Sequence, residues 1–431
     1  MCHTITIPLL FLCLLLLTCI FDPGYAVETV SVSKTQSVVR SRPVVGILSQ
    51  PSFHSDKHDY IAASYVKWLE SAGARSIVIP YDADEELLEE IFTQINGVLF
   101  PGGDSALPPK ARTIWKLILE RNGVGVMREN DKDDKEYFFP VWGTCLGFEF
   151  LVMLAGESEN VLQNGFDSEN ITLPLIFPTE QNELDSDGVY SIESALFPAS
   201  STIRKSASTH NITMNNHMQG ITPLHFLNSS ALTDFFHITS TSMDRMGRPF
   251  VSTIESKRYP IYATQYHPEK NNFEFGLMHS GYSNRHKNNY KLRLFSSSSL
   301  SSYYSDEAYE AIDHSEAAVE LSMKLALFFV RQVRRSTNGI YNMVQRHPVV
   351  YQYPMIRGRG FEQIFLIPKA NHWKKKRGYD DSSTASDTFH HIMEHWIALS
   401  FLLCVMSLFA FLQSCKSHNN YFSIPEDLES K

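Results

Sequence analysis

The sequence predicts an α/β fold: a doubly wound, mostly parallel sheet flanked by helices in three layers. Three observations carry that expectation. From Val44 onward short apolar runs alternate with amphipathic runs of helix length, and strands covered on both faces read as unbroken apolar stretches. Two glycine-rich turns, Gly102-Gly103 and Gly143-Thr-Cys-Leu-Gly147, stand at or just after the ends of two of those runs. The hydrophobic content of 43% over 431 residues is that of a globular chain with a sizeable core.

Taken in order, Val44 to Leu48 reads as a buried strand and Tyr60 to Ala72 as an amphipathic helix. Ser76 to Pro80 is a second strand, Glu85 to Gln94 a second helix, and Gly97 to Phe100 a third strand. A helix from Lys110 to Glu120, a strand from Tyr137 to Trp142 and a helix from Phe148 to Ala155 follow. In an open parallel sheet, sites gather at the carboxyl ends of the strands. Both glycine turns fall there. From Ile171 to Ile261 the pattern is strand-like and irregular, and Phe250 to Ile254 with Ile261 to Gln265 form a strand pair leading into Tyr266-His267-Pro268-Glu269. Residues 275–304, polar with a serine run, read as a loop insertion. Ala308 to Arg335 is a long helix whose Leu321, Leu325, Phe328 and Phe329 recur at helical spacing as a core-facing stripe. Val349 to Leu366 has strand character and closes a domain spanning 41–368, with no internal repeat.

The flanks predict a secretory route. Ile7 to Phe21 is apolar and precedes a small-residue cleavage pattern at Gly24-Tyr25-Ala26, so residues 1–26 read as a signal peptide, although the n-region carries only His3. Trp396 to Leu412 is a second uncharged apolar run, at the short end of what spans a bilayer. The expectation is a polar stalk (369–395), a transmembrane helix (396–413) and a cytoplasmic tail (414–431), with the folded domain in the lumen. A buried core helix is the alternative, disfavoured by the polar sequence on both sides. A removable lipid-anchor signal would end in its apolar run, whereas this chain continues to Lys431. Asn170, Asn211 and Asn228 open glycosylation sequons, in keeping with a luminal domain. Tyr421-Phe-Ser-Ile424 has the Y-x-x-Φ form of sorting signals, and the basic run Lys374–Arg377 is either a processing site or a solvated stalk. The formal charge of −9 without a basic face in the folded region argues against nucleic-acid binding. No histidine pair at metal-ligand spacing lies on a convincing helix, so no metal is expected.

The chemistry concentrates at Cys145. An apolar strand, a tight turn and a helix around it make the pattern of a nucleophile elbow, whose strained backbone needs small neighbours. The positive end of the following helix favours thiolate over thiol. Cys2, Cys13 and Cys19 lie in the expected signal, Cys404 in the expected span and Cys415 beyond it. Cys145 is then alone in the luminal domain and has no internal disulfide partner. A candidate nucleophile is the sharper reading, and a structural buried cysteine the plainer one. His267, with a carboxylate two residues on at Glu269, supplies a base and its orienting group, which suggests a Cys-His-Glu hydrolase.

The segments Pro43-Val-Val-Gly-Ile-Leu48, Leu99-Phe-Pro-Gly-Gly-Asp104, Phe139-Pro-Val-Trp-Gly-Thr-Cys-Leu-Gly-Phe-Glu149, Asn216-His217 and Gln265-Tyr-His-Pro-Glu-Lys270 carry a family likeness. Through them the chain resembles the gamma-glutamyl hydrolases, of the class I glutamine amidotransferase-like group, from about Arg42 to Arg335 and on towards Leu366. The resemblance implies a flavodoxin-like three-layer fold. It also implies cleavage of γ-linked glutamates from folylpoly-γ-glutamates and similar antifolates, without a cofactor, in a lysosome, vacuole or extracellular space. Cys145 would attack the γ-carbonyl, His267 would move the proton, and Glu269 would hold the imidazole. The N–H groups of Leu146 and Gly103 are the natural oxyanion donors. Gly102 and His217 would line the substrate side, His217 having a plain loop histidine as its alternative. Glu149 reads as a helix-face carboxylate, with substrate contact as its alternative, and Asp104 as a capping residue or equally a site residue. Hydrolysis of small γ-glutamyl amides and non-catalytic folate binding at a membrane remain open as alternatives, a glutaminase subunit less so. The oligomeric state is not set by the sequence, and a homodimer stands open.

Overall fold

The computed structural model describes residues 41–52, 56–124, 137–185, 188–276, 310–336, 338, 348–358 and 360–370. One compact unit ends at Lys369, and a second comprises Ala370–Lys431. The expected signal peptide, membrane helix and tail lie outside the described residues, as do all but the ends of the stalk and of the 275–304 insertion. Among the described residues no helix is long and apolar enough to cross a membrane.

The first half runs β1 (Val44–Leu48), β2 (Gln50–Pro51), β3 (His58–Ala62), α1 (Ala63–Ser71), β4 (Arg75–Ile79), α2 (Glu85–Phe92), β5 (Gly97–Phe100), α3 (Ala111–Arg121), β6 (Val141–Thr144) and α4 (Leu146–Ala155). The second half supplies β7 (Gln163–Leu173), β8 (Thr213–Gly220), β9 (Phe236–Met243), β10 (Pro249–Ser256), β11 (Ile261–Thr264), α5 (Glu316–Arg335), β12 (Met355–Arg357) and β13 (Gln363–Pro368). The main sheet has the order β4-β1-β5-β6-β11-β10-β9. Its first five strands are parallel, and β10 runs antiparallel to both β11 and β9.

The chain steps from β1 outward to β4, then back past β1 to β5. Both crossovers are right-handed by rule, so α1 and α2 fall on opposite faces of the sheet. Helix α1 packs with α5, while α2, α3 and α4 pack in succession on the other side. Between sheet and α5, Trp68 and Trp142 meet at 5.3 Å, Trp142 and Phe329 at 5.7 Å. Leu321, Leu325 and Phe329 are buried as the helical spacing requires. A four-stranded antiparallel sheet, β12-β13-β3-β2, and a two-stranded ribbon, β7-β8, complete the unit.

Several boundaries differ from the sequence expectation. Tyr60 to Ala62 are strand rather than helix, because β3 pairs with β13 from the far end of the domain (Ala62 opposite Ile364, Tyr60 opposite Leu366). The strand before Cys145 starts at Val141, where its neighbours β5 and β11 also begin to pair. Helix α5 starts at Glu316, since Ser315 accepts from the Ala318 N–H and caps it there. The irregular region contains short helices at Thr202–Thr209, Pro223–Leu227 and Ser230–Phe235, each capped by a hydroxyl, from Ser201, Thr222 and Ser229. Those caps were legible in the sequence.

Candidate active site

The turn from β6 to α4 is as tight as the sequence implies. Cys145 has φ 51° and ψ −106°, a left-handed backbone uncommon for a residue with a side chain. Its N–H donates to the Thr264 carbonyl at 2.8 Å, and its own carbonyl accepts from Glu149 N–H at 3.0 Å to start the helix. The flanking glycines are required by contact. A Cβ on Gly143 would stand 2.6 Å from the Gly147 carbonyl oxygen, and one on Gly147 would stand 2.0 Å from that of Phe100. Helix, elbow and β5 are thus pressed backbone to backbone.

Strand β11 ends at Thr264, and its continuation brings His267 to the same edge, pinned by donation from its N–H to the Met214 carbonyl at 2.8 Å. The His267 Nδ1 lies 2.8 Å from the Glu269 carboxylate, with the two side chains only 5% and 1% exposed. Gly102 is where these groups converge. A Cβ there would be 2.7 Å from His267 Cε1, 2.7 Å from the Tyr65 hydroxyl and 3.3 Å from Cys145 Cβ. Of the expected oxyanion donors, the Leu146 N–H reaches the Cys145 sulfur. Gly103 stands beside Gln50, a Cβ on it lying 3.0 Å from the Gln50 Oε1.

His217 sits on β8 beneath Phe250, ring centroids 4.8 Å apart. Its Nδ1 bonds the Gln219 carbonyl at 2.7 Å. A carbonyl only accepts, so Nδ1 carries the proton and Nε2 is left as the acceptor. That Nε2 is buried without a hydrogen-bond partner among the described residues. Burial foremost, with His267 nearby, lowers the His217 pKa to about 4, so the ring is neutral at ordinary pH. The loop-histidine alternative does not hold: this is a buried strand residue.

Two groups at the site, Tyr65 and Lys270, have no role in the sequence reading, and a third, Glu149, reads there chiefly as a helix-face carboxylate. Tyr65 of α1 accepts from the Gly102 N–H at 2.8 Å and lies 3.4 Å from His267 Nδ1. Nothing in the sequence marks it, since it reads as one more apolar residue on an amphipathic helix. Glu149, expected on a solvated helix face, is 4% exposed and bonds Gln265 Nε2 at 3.2 Å. Burial raises its pKa to about 7. Lys270 is 3% exposed and paired with Glu310. Asp104, by contrast, is exposed and does not cap α3, whose N-cap is Lys110.

One electrostatic expectation is overturned. Burial, then the Glu149 charge, pushes the Cys145 thiol upward, against the smaller opposing pull of Lys270 and the Leu146 N–H. Desolvation outweighs the helix N-terminus here because the helix end contributes on the order of 1 kcal/mol, less than the cost of burying a thiolate. Burial thus favours the thiol form of the resting sulfur. The sequon asparagines Asn170, Asn211 and Asn228 are exposed, though Thr213 of the second sequon is buried, and among the described residues no cluster of His, Cys, Asp and Glu could hold a metal ion.

An open, mostly parallel sheet with a strained thiol turn at its carboxyl edge defines the class: a three-layer α/β protein with a cysteine at a nucleophile-elbow turn. The family model for peptidase C26 matches residues 43–269. The chain is 36% identical to gamma-glutamyl hydrolase B of Dictyostelium discoideum, over 71% of this chain and 76% of that one. It is 32% identical to gamma-glutamyl hydrolase 1 of Arabidopsis thaliana (76% and 83% covered) and 33% identical to gamma-glutamyl hydrolase of Bos taurus (76% and 90%). The chain therefore belongs to the peptidase C26 family and is an enzyme of the gamma-glutamyl hydrolase kind.

Proposed function

We propose that the chain cleaves γ-glutamyl bonds of folylpoly-γ-glutamates through a Cys145 thioester, in an acidic lumen. The observation that supports this best is the convergence on Gly102 of Cys145 and of a His267 already bonded to buried Glu269. His267 donates Nδ1–H to Glu269 and keeps Nε2 as the acceptor for the thiol proton. Because burial holds the sulfur as a thiol, proton transfer to His267 accompanies attack on the γ-carbonyl. The oxyanion then forms beside the N–H groups of Leu146 and Gly103, where each such donor is worth roughly 10²–10³ in rate. His267 returns the proton to the leaving amine, water enters, and the same base activates it to hydrolyse the thioester. His217, with a lone-pair nitrogen in the cleft, accepts a hydrogen bond from substrate, and Gly102 leaves room for it.

The buried carboxyls support the acidic setting. Asp59, Glu149 and Glu274 are raised by burial to about 6, 7 and 7, so the folded state favours their protonated forms. A cleaved signal at 1–26, a folded domain over 41–368, glycans on Asn170, Asn211 and Asn228, and an anchor at 396–413 complete the reading. Alkaline carbonate extraction of membranes tests the anchor, since release of the full-length chain would refute it.

The deciding experiment incubates the full chain at about pH 5, in the range where the raised carboxyls are protonated, with a pteroyl-γ-polyglutamate. An α-linked analogue and Cys145→Ala run beside it. Release of glutamate or γ-glutamyl peptides from the γ-linked substrate alone, abolished by the substitution, is expected. Cleavage only of small γ-glutamyl amides would replace the folate substrate, and activity without Cys145 would refute the thioester.

A further inference from the structure

Lysine is almost never buried without a partner, and Lys270 is only 3% exposed. Its ammonium pairs with Glu310, itself 4% exposed. The same Glu310 oxygen accepts from Asn216 Nδ2 at 2.9 Å. Asn216 precedes His217 on β8, and its own Oδ1 accepts from the Asn170 N–H at 3.1 Å. Lys270 follows Glu269, and its backbone N–H donates to the His267 carbonyl at 3.3 Å. The Phe361 ring lies 5.8 Å from the ammonium. One buried cation thus joins the loop carrying His267 and Glu269, the strand carrying His217, and the segment leading into α5.

A buried ion pair is a poor source of stability, because desolvating both charges consumes most of the Coulomb gain. Its field also reaches the Cys145 thiol, which Lys270 pulls downward. The charges bearing on Cys145 are Glu149 from α4 and Glu269 and Lys270 from the loop after β11, with His267 of that loop and neutral Tyr65 of α1 also facing it. Lys270 is the cation among them, and it is itself faced by Glu310 and Glu274.

We propose that Lys270 is a positioning residue of the reaction: held by Glu310 and Asn216, it fixes the His267–Glu269 loop against the His217 strand and presents the positive charge that steadies the attacking sulfur. The inference rests on the Cys145 reading above. Glu310 is the counterweight, since it partly neutralises the charge that the sulfur feels. Removing either partner should therefore act on the thiol with opposite sign.

The test compares Lys270→Met, Lys270→Arg and Glu310→Gln in the full chain, with Cys145→Ala as the blank for other thiols. Two readouts are taken: the rate of the Cys145 reaction with neutral dithiodipyridine at fixed pH, and the pH profile of hydrolysis. A nearby charge moves a thiol pKa by about one unit, a tenfold change in thiolate, of which weaker nucleophilicity returns roughly threefold. Lys270→Met is expected to slow the probe about threefold and Glu310→Gln to speed it about threefold, with Lys270→Arg near wild type. Simple loosening of the fold would move Met and Gln variants the same way. A shift in one direction for both, or in neither, overturns the proposal while Cys145→Ala stays inactive. Full hydrolysis by Cys145→Ala overturns the catalytic reading and the proposal with it. If Lys270→Met fails to fold, the sign of the Glu310→Gln shift decides the matter.

Discussion

Gly147→Ala is the most demanding test of the packing around the elbow. The added Cβ would stand 2.0 Å from the Phe100 carbonyl oxygen and 2.6 Å from its carbon, where anything under 3.0 Å forces a shift. The obstacle is strand backbone, not a side chain that can swing away. Helix α4 and β5 must therefore part by about 1 Å. Overpacking of this kind costs about 3 kcal/mol at the upper end of its usual range, which lowers Tm by roughly 4 °C in a domain of this size. Gly102 and Gly103 follow Phe100 after Pro101, and Cys145 and Leu146 sit on the other side of the gap. The same displacement therefore draws the Gly103 N–H away from the sulfur while the Leu146 N–H moves with it, and a misplacement of ~1 Å costs roughly 10² in kcat/KM. Calorimetry and hydrolysis of a γ-linked substrate measure both effects. Gly360→Ala is the control, since a Cβ there meets nothing within 4 Å. If Gly147→Ala matches that control in melting and in rate, the account of the elbow is wrong.

Glu269→Gln keeps the shape of the site but removes the anion that orients His267 at 2.8 Å. We expect kcat to fall by roughly 10²–10⁴ with KM little changed, and an unchanged kcat would remove Glu269 from the triad. The raised carboxyls give a pH signature with a definite sign. Asp59, Glu149 and Glu274 hold protons in the folded state that the unfolded chain releases near its ordinary carboxylate values of 3.8 to 4.5. Their stabilising share is complete below that range and is lost as pH rises through about 6 to 7. His217, depressed from 6.5 to about 4, opposes this, its share being lost as pH falls through the same window. The three carboxyls outweigh one imidazole, so calorimetry should find a lower Tm at neutral pH than at about pH 5. Glu149→Gln should remove about 2 kcal/mol of that difference, and it should also quicken the reaction of Cys145 with the neutral disulfide probe. A Tm that climbs towards neutral pH would contradict this assignment.

Much of the site was legible because its signals are local. The elbow is specified within five residues, where Gly143 and Gly147 leave room for backbone contacts at 2.6 and 2.0 Å that no side chain tolerates. The pairing of His267 with Glu269 needs only a two-residue reach. The strands of the main sheet were readable for the same reason, each being an apolar run long enough to cross a covered sheet. Errors fell where a distant partner overrode local preference. Tyr60 to Ala62 have helix-compatible spacing but are drawn into a strand by β13.

The sequence alone determined the order of most elements, the position of the thiol turn and the close pairing of His267 with Glu269, because backbone geometry and side-chain reach act over a few positions. Tertiary structure decided the rest. It brought Tyr65 from α1 to the Gly102 N–H and buried Glu149 beside the sulfur. It also closed Lys270 against Glu310 from a distant segment. These contacts set the protonation of the thiol, and protonation depends on which charges meet and how much water is excluded, neither of which is written along the chain.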